Sequence, residues 1–137
     1  MRQLGLDNRN EFQRLLIDLD RELIQDPRLF AIYDTHPFAS QFKDDPLLAA
    51  KLDAFGYMSI NIFEMVYQFF HATGNLSTHE RETWNSWESF FQHTVDNSSV
   101  IRKLLRRDDL DGYYPPKFAA YVRKALSKVA KCDVEDG

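Results

Sequence analysis

The stretch Asp45–Thr73, DPLLAAKLDAFGYMSINIFEMVYQFFHAT, constrains the chain most. Asp45-Pro46 is a helix start: Asp offers a capping oxygen, and proline fits the first helical position, where an N–H would be unpaired anyway. Gly74-Asn75 is the matching stop, because both residues tolerate the left-handed cap conformation. At 100° per residue, Asp53, Asn61, Glu64, Gln68 and His71 fall on one stripe, with Tyr57 beside them. Nearly everything else is apolar, including Leu48, Leu52, Phe55, Met58, Ile60, Ile62, Phe63, Met65, Val66, Tyr67, Phe69 and Phe70. A surface helix carries one apolar stripe, whereas this segment carries one polar stripe, the pattern of a helix packed on most sides. Asp53, Asn61, Glu64 and Gln68 interrupt the run too often for a membrane span.

The flanking segments read as further helices. Phe12, Leu15, Leu16, Leu19 and Leu23 recur at three and four, predicting an amphipathic helix from about Asn8 to Gln25. Asp26-Pro27 starts a short helix with Leu29, Phe30, Ile32 and Tyr33, which ends near His36-Pro37. Phe38–Lys43 reads equally as one more turn or as a packed loop. Ser77-Thr78-His79-Glu80 is a capping box opening a helix with Trp84, Trp87, Glu88, Phe91 and Val95 on one face. Asp96–Ser99 ends that helix and caps a short one with Val100, Ile101, Leu104 and Leu105. Asp108–Gly112 reads as a turn, and Pro115-Pro116 opens a last helix through Val129. Alternating strand patterns with hairpin turns are missing.

These elements predict an all-α fold: one compact helical bundle of about five or six helices around the central one, spanning residues 1–131, with 132–137 a disordered tail. At 137 residues the chain suits a single domain. Its Phe, Tyr and Trp residues supply large areas for a core, in which Leu48, Leu52, Phe55, Ile62, Val66, Phe69, Trp87 and Phe91 are expected to be buried. The short link Gly74–Leu76 makes the Trp84/Trp87 helix return antiparallel to the central one.

Charge is distributed unevenly. Residues 1–99 carry eight basic and fifteen acidic side chains, residues 100–131 nine basic and three acidic, and the whole chain a net −4. The acidic total disfavours nucleic acid as a partner. Arg102, Lys103, Arg106 and Arg107 form the candidate patch for an anionic partner, including an acidic membrane surface, although Asp108, Asp109 and Asp111 follow at once. The single Cys132 and the lack of an apolar leader in MRQLGLDNRNEF fit a reducing, cytoplasmic location.

Catalytic patterns do not emerge. Di-iron bundles use Glu-x-x-His, but Glu64, Glu82 and Glu88 are followed at that spacing by Tyr67, Asn85 and Phe91. His36, His71, His79 and His93 lack zinc-ligand spacing. Cys132 sits beside acidic residues, which do not activate a thiol, and no nucleophile elbow or phosphate-cradling loop occurs. The sequence therefore predicts no metal and no cofactor. Its candidate polar site is Asn61, Glu64, Gln68 and His71 on the central helix, with Trp84 and Trp87 opposite.

Phe63-Glu64-Met65-Val66-Tyr67, the capped turn, Trp84-Asn85-Ser86-Trp87-Glu88-Ser89-Phe90-Phe91 and the Tyr114–Phe118 segment resemble a group of uncharacterised bacterial all-helical proteins. The resemblance spans Leu29 to Leu126 and implies an all-helical fold without an assigned activity. Members of that group often carry a transmembrane helix ahead of the domain, which this sequence does not show. The resemblance also points to Glu64 with Trp84 or Trp87 as a recurrent site. The leading functional expectation is a non-enzymatic regulatory or protein-interaction module, such as a homodimer. The alternatives are a small-ligand binder or enzyme working on the Glu64–His71 seam, and peripheral contact with an anionic surface.

Overall fold

The computed structural model describes residues 2–41, 44–72, 74–107 and 109–129, with side-chain surroundings from Asn10 onward. The expected tail at 132–137, Cys132, Phe42, Lys43 and the Thr73 end of the central helix lie outside the described residues. The fold is all-α. Helix α1 spans Arg2–Gln25, a 3-10 helix follows at Pro27–Ile32, and then come α2 (Pro37–Gln41), α3 (Pro46–Ala72), α4 (Thr78–Asn97), α5 (Ser99–Leu105), α6 (Leu110–Tyr113) and α7 (Pro116–Ser127). Two segments that read as turns or loops are single helical turns, α2 and α6, so the elements outnumber the five or six expected. Helix α1 also starts well ahead of Asn8, at Arg2.

The capping signals are realised in hydrogen bonds. Asp45 Oδ1 accepts from Leu47 N at 3.0 Å and Leu48 N at 3.1 Å, and Gly74 holds φ +75° after α3. Ser77 Oγ accepts from Glu80 N, and Ser77 N donates to Glu80 Oε1 at 2.9 Å, which completes the capping box. Ser98 Oγ accepts from Ile101 N and starts α5.

Helix α3 touches α1, the 3-10 helix, α4, α5 and α7. Phe63 meets Trp87, Phe90 and Phe91, whereas Phe70 meets Trp84, so α4 runs back antiparallel along α3. Helix α5 approaches α3 at Gly56: a Cβ there would stand 2.7 Å from Leu104 Cδ1. The main core gathers Leu48, Ile60, Val95, Ile101, Leu105 and Phe118, and a second cluster under α1 joins Phe12 to Ile62, Val66 and Phe70. Six of the eight expected core residues are buried. Phe69 and Trp87 are half-buried, because each lies edge-on to Phe12 beneath α1 and keeps one rim open.

Two polar clasps tie the N-terminal segment to this core. Asp34 accepts from Ser99 N at 2.9 Å, Ser99 Oγ at 2.8 Å and Arg102 Nη2 at 3.1 Å. Asp26 accepts from Arg28 Nε at 3.0 Å and from Lys51 Nζ at 3.1 Å, joining the 3-10 helix to α3. The Arg28 guanidinium is the main reason that the Asp26 carboxyl lies well below the usual carboxylate range.

Candidate functional site

The polar seam of α3 runs beside α7 and the turn before it. Asn61 is exposed, and its Oδ1 accepts from Tyr114 OH at 2.9 Å. Glu64 is half-buried, and burial first, then Tyr57 and Glu64, push the Tyr114 hydroxyl pKa up. Gln68 is half-buried, and its Nε2 is sealed from solvent without a hydrogen-bond partner among the described residues. His71 is exposed, stacks on Tyr67 at 3.9 Å, meets Trp84 edge-on at 4.8 Å and sets Nδ1 2.9 Å from the Tyr67 carbonyl. His71 and Trp84 are thus brought together, while Asn61 pairs with Tyr114.

Trp84 and Trp87 line a small cavity with Phe63, Tyr67, Phe91 and Tyr121. Its volume of about 10 Å³ holds about one water. Neither Asn61, Glu64 nor His71 lines it. Two hydroxyls at its margin are engaged: Tyr121 OH donates to Glu88 Oε2 at 3.2 Å and Tyr67 OH to the Lys117 carbonyl at 3.5 Å. Burial, with Glu88 next, pushes the Tyr121 hydroxyl pKa well above its ordinary value. This void belongs to the aromatic core.

The four cations of the expected anionic-partner patch do not share a surface. Arg102 is 3% exposed, because Val95 O and Asp96 O accept from its Nη1 at 2.9 and 3.0 Å and Asp34 pairs with Nη2. Arg107 is half-buried, bonds Asp109 at 2.9 Å through both Nε and Nη2, donates to Tyr57 OH and lies 4.3 Å over the Tyr113 ring. Lys103 and Arg106 reach the surface. Sequence periodicity alone does not distinguish an arginine that satisfies backbone carbonyls from one that faces water. Among the described residues, no three of His, Cys, Asp and Glu come together where they could hold a metal ion. No described helix is long and apolar enough to cross a membrane.

The feature that the polar-stripe reading missed is the outer face of α3. Leu47 is 65% exposed, Met58 40% and Met65 43%, with Ala50, Ala54 and Ala72 exposed in line with them. This face lies roughly 80° around the helix from the centre of the polar stripe at 100° per residue. The polar stripe is a border, flanked by Tyr114 and α7, and the open side is largely apolar. The legible signal was spacing: Leu47, Lys51, Ala54, Met58, Asn61, Met65, Gln68 and Ala72 follow one another in alternating steps of four and three. Fold and face together define a small all-α protein whose central helix keeps an uncovered apolar side. The chain matches no protein-family model, no curated protein and no solved structure.

Proposed function

We propose that the protein is a non-enzymatic interaction module that presents the outer face of α3 to another protein surface. The observation that carries this reading is the exposure of Leu47, Met58 and Met65 on a helix that packs against α1, the 3-10 helix, α4, α5 and α7. Water contact at these side chains is unfavourable by about 25 cal/mol per Å² of apolar area, so covering the face stabilises a complex. Methionine suits such a role, because its flexible, polarizable side chain adapts to a facing surface, and it is enriched at interfaces. His71 stacks on Tyr67 and Arg107 pairs with Asp109, so these two groups are engaged within the chain.

Photo-crosslinking tests the proposal. The chain has three methionines, Met1, Met58 and Met65, so a diazirine-bearing methionine analogue labels the face at two positions. Irradiation of cells expressing the protein is expected to yield protein conjugates through residues 58 and 65. These should be lost in the Met58→Leu, Met65→Leu double variant, while labelling at Met1 remains as the control. Absence of conjugates, or conjugates unchanged in the double variant, sinks the proposal.

A further inference from the structure

We infer that His36 is an acid-sensitive latch on α2: its neutral imidazole holds the first turn of that helix, and protonation lets the turn go. The inference is independent of the interaction-module reading above. Its ground is one hydrogen bond. His36 immediately precedes α2, and its Nδ1 accepts from the Phe38 N–H at 3.2 Å, the bond that a capping side chain makes. Nδ1 accepts only while it carries no hydrogen, so the ring hydrogen of the capped state sits on Nε2. A second proton can go only to Nδ1, where it sets one N–H against another. Turning the ring gives no remedy, because both nitrogens of an imidazolium are donors.

The neighbouring caps use other chemistry. Asp26, Asp45, Ser77 and Ser98 cap their helices with carboxylate or hydroxyl oxygens, which do not change charge near neutrality as an imidazole does. The other histidines respond differently to a proton. His71 Nδ1 faces the Tyr67 carbonyl at 2.9 Å, so it donates, and that bond survives protonation. His93 Nδ1 lies 3.3 Å from Asn97 Nδ2, but the same amide also donates to the His93 carbonyl at 2.8 Å. His79 is exposed in the first turn of α4, whose cap is made by Ser77 and Glu80.

The latch holds an aromatic stack. The His36 ring lies over Phe30 of the 3-10 helix, centroids 5.3 Å apart and planes at 17°, and meets the Phe38 ring at 5.0 Å. Helix α2 packs chiefly on that 3-10 helix and has no fully buried residue, so little apolar burial backs up the cap. Two further bonds hold the turn: Ala39 N donates to the His36 carbonyl at 2.9 Å and Ser40 Oγ to the Pro37 carbonyl at 3.2 Å. The charged groups nearby are engaged elsewhere. Asp34 bonds Ser99 and Arg102 of α5, Arg28 on the 3-10 helix pairs with Asp26, Asp20 of α1 acts on Tyr33, and α2 itself carries no charge. The imidazolium is favoured by the face of Phe30, so the ring keeps its stack while the start of α2 opens. Acid thereby loosens Phe38, which is half-buried against the main core.

The test is an NMR titration of the full, isotope-labelled chain from about pH 8 down to about pH 5, the range in which an imidazole takes up its second proton. At the alkaline end the ring-nitrogen shifts of His36 should place the hydrogen on Nε2. The Phe38 amide protection factor, which corrects exchange for its intrinsic pH dependence, should fall about fivefold towards the acid end, the scale of one lost cap. His36→Asn keeps a capping oxygen that does not titrate, so its Phe38 protection should hold steady across the range. His36→Ala should show low protection throughout. A hydrogen on Nδ1 at the alkaline end, or the same acid-induced fall in His36→Asn as in the wild type, would overturn the latch.

Discussion

Replacing Gly56 by alanine tests the packing of α5 on the central helix. In an exposed helix interior, Gly→Ala stabilises by about 1 kcal/mol, because alanine loses less backbone freedom on folding. Here the new Cβ would stand 2.7 Å from Leu104 Cδ1 and 3.4 Å from Ile101 Cδ1. Leu104 is 6% exposed, so its methyl has little room to retreat and α5 must shift or strain. Overpacking of this kind costs about 1–3 kcal/mol, which offsets the propensity gain and leaves Gly56→Ala destabilising by about 1 kcal/mol. Leu104→Ala removes the clashing methyl. On that background Gly56→Ala should stabilise by about 1 kcal/mol, a coupling of about 2 kcal/mol between the two sites. Urea denaturation monitored by tryptophan fluorescence and circular dichroism gives all four corners of the cycle. A stabilising Gly56→Ala in the wild-type background, or a coupling near zero, would refute the close approach of α5 to α3.

Three further outcomes follow from burial and charge. Arg102→Met should destabilise by about 2–4 kcal/mol, because it takes the guanidinium donors from the Val95 and Asp96 carbonyls and leaves Asp34 with Ser99 alone, whereas exposed Lys103→Ala should stay within about 0.5 kcal/mol; chemical denaturation separates the two. Phe118→Ala should cost about 3–5 kcal/mol and Trp87→Ala less, despite the larger ring, since Phe118 is 0% exposed and Trp87 only half-buried; a larger loss at Trp87 would contradict the packing. Stability should fall at both pH extremes. The depressed Asp26 carboxyl contributes stability above its unfolded value near 4 that is lost as pH drops towards its folded value, and the raised Tyr121 hydroxyl contributes stability below about 10 that is lost as pH climbs past it. Asp26→Asn should flatten the acid limb and Tyr121→Phe the alkaline limb of a melting-temperature profile.

Local chemistry was legible in the sequence wherever a residue acts on its own neighbours. Asp45, Ser77 and Ser98 cap the helices that their positions announce, because a cap is decided within three residues. Helix α4 lies antiparallel to α3 because the link from Gly74 to Leu76 leaves no room to cross over. What was not legible depends on partners distant in the chain. Arg102 looks like a surface cation until Asp34, sixty-eight residues earlier, and the end of α4 close around it. Phe69 and Trp87 look like core until α1 covers them only in part.

The central helix shows how such a misreading arises and why it matters. A hydropathy wheel assumes that the most polar stripe faces water, which holds when every apolar stripe is satisfied inside the same chain. In α3 the polar stripe is divided: Asn61 accepts from the Tyr114 hydroxyl, Glu64 and Gln68 are half-buried, and Asn61 and His71 stay exposed. Met58 and Met65 turn outward, while Gln68 keeps its Nε2 sealed from solvent without a hydrogen-bond partner among the described residues. Exposed Met58 and Met65 beside exposed Asn61 and His71 give α3 a mixed outer side, which a wheel that sorts residues by polarity alone does not anticipate.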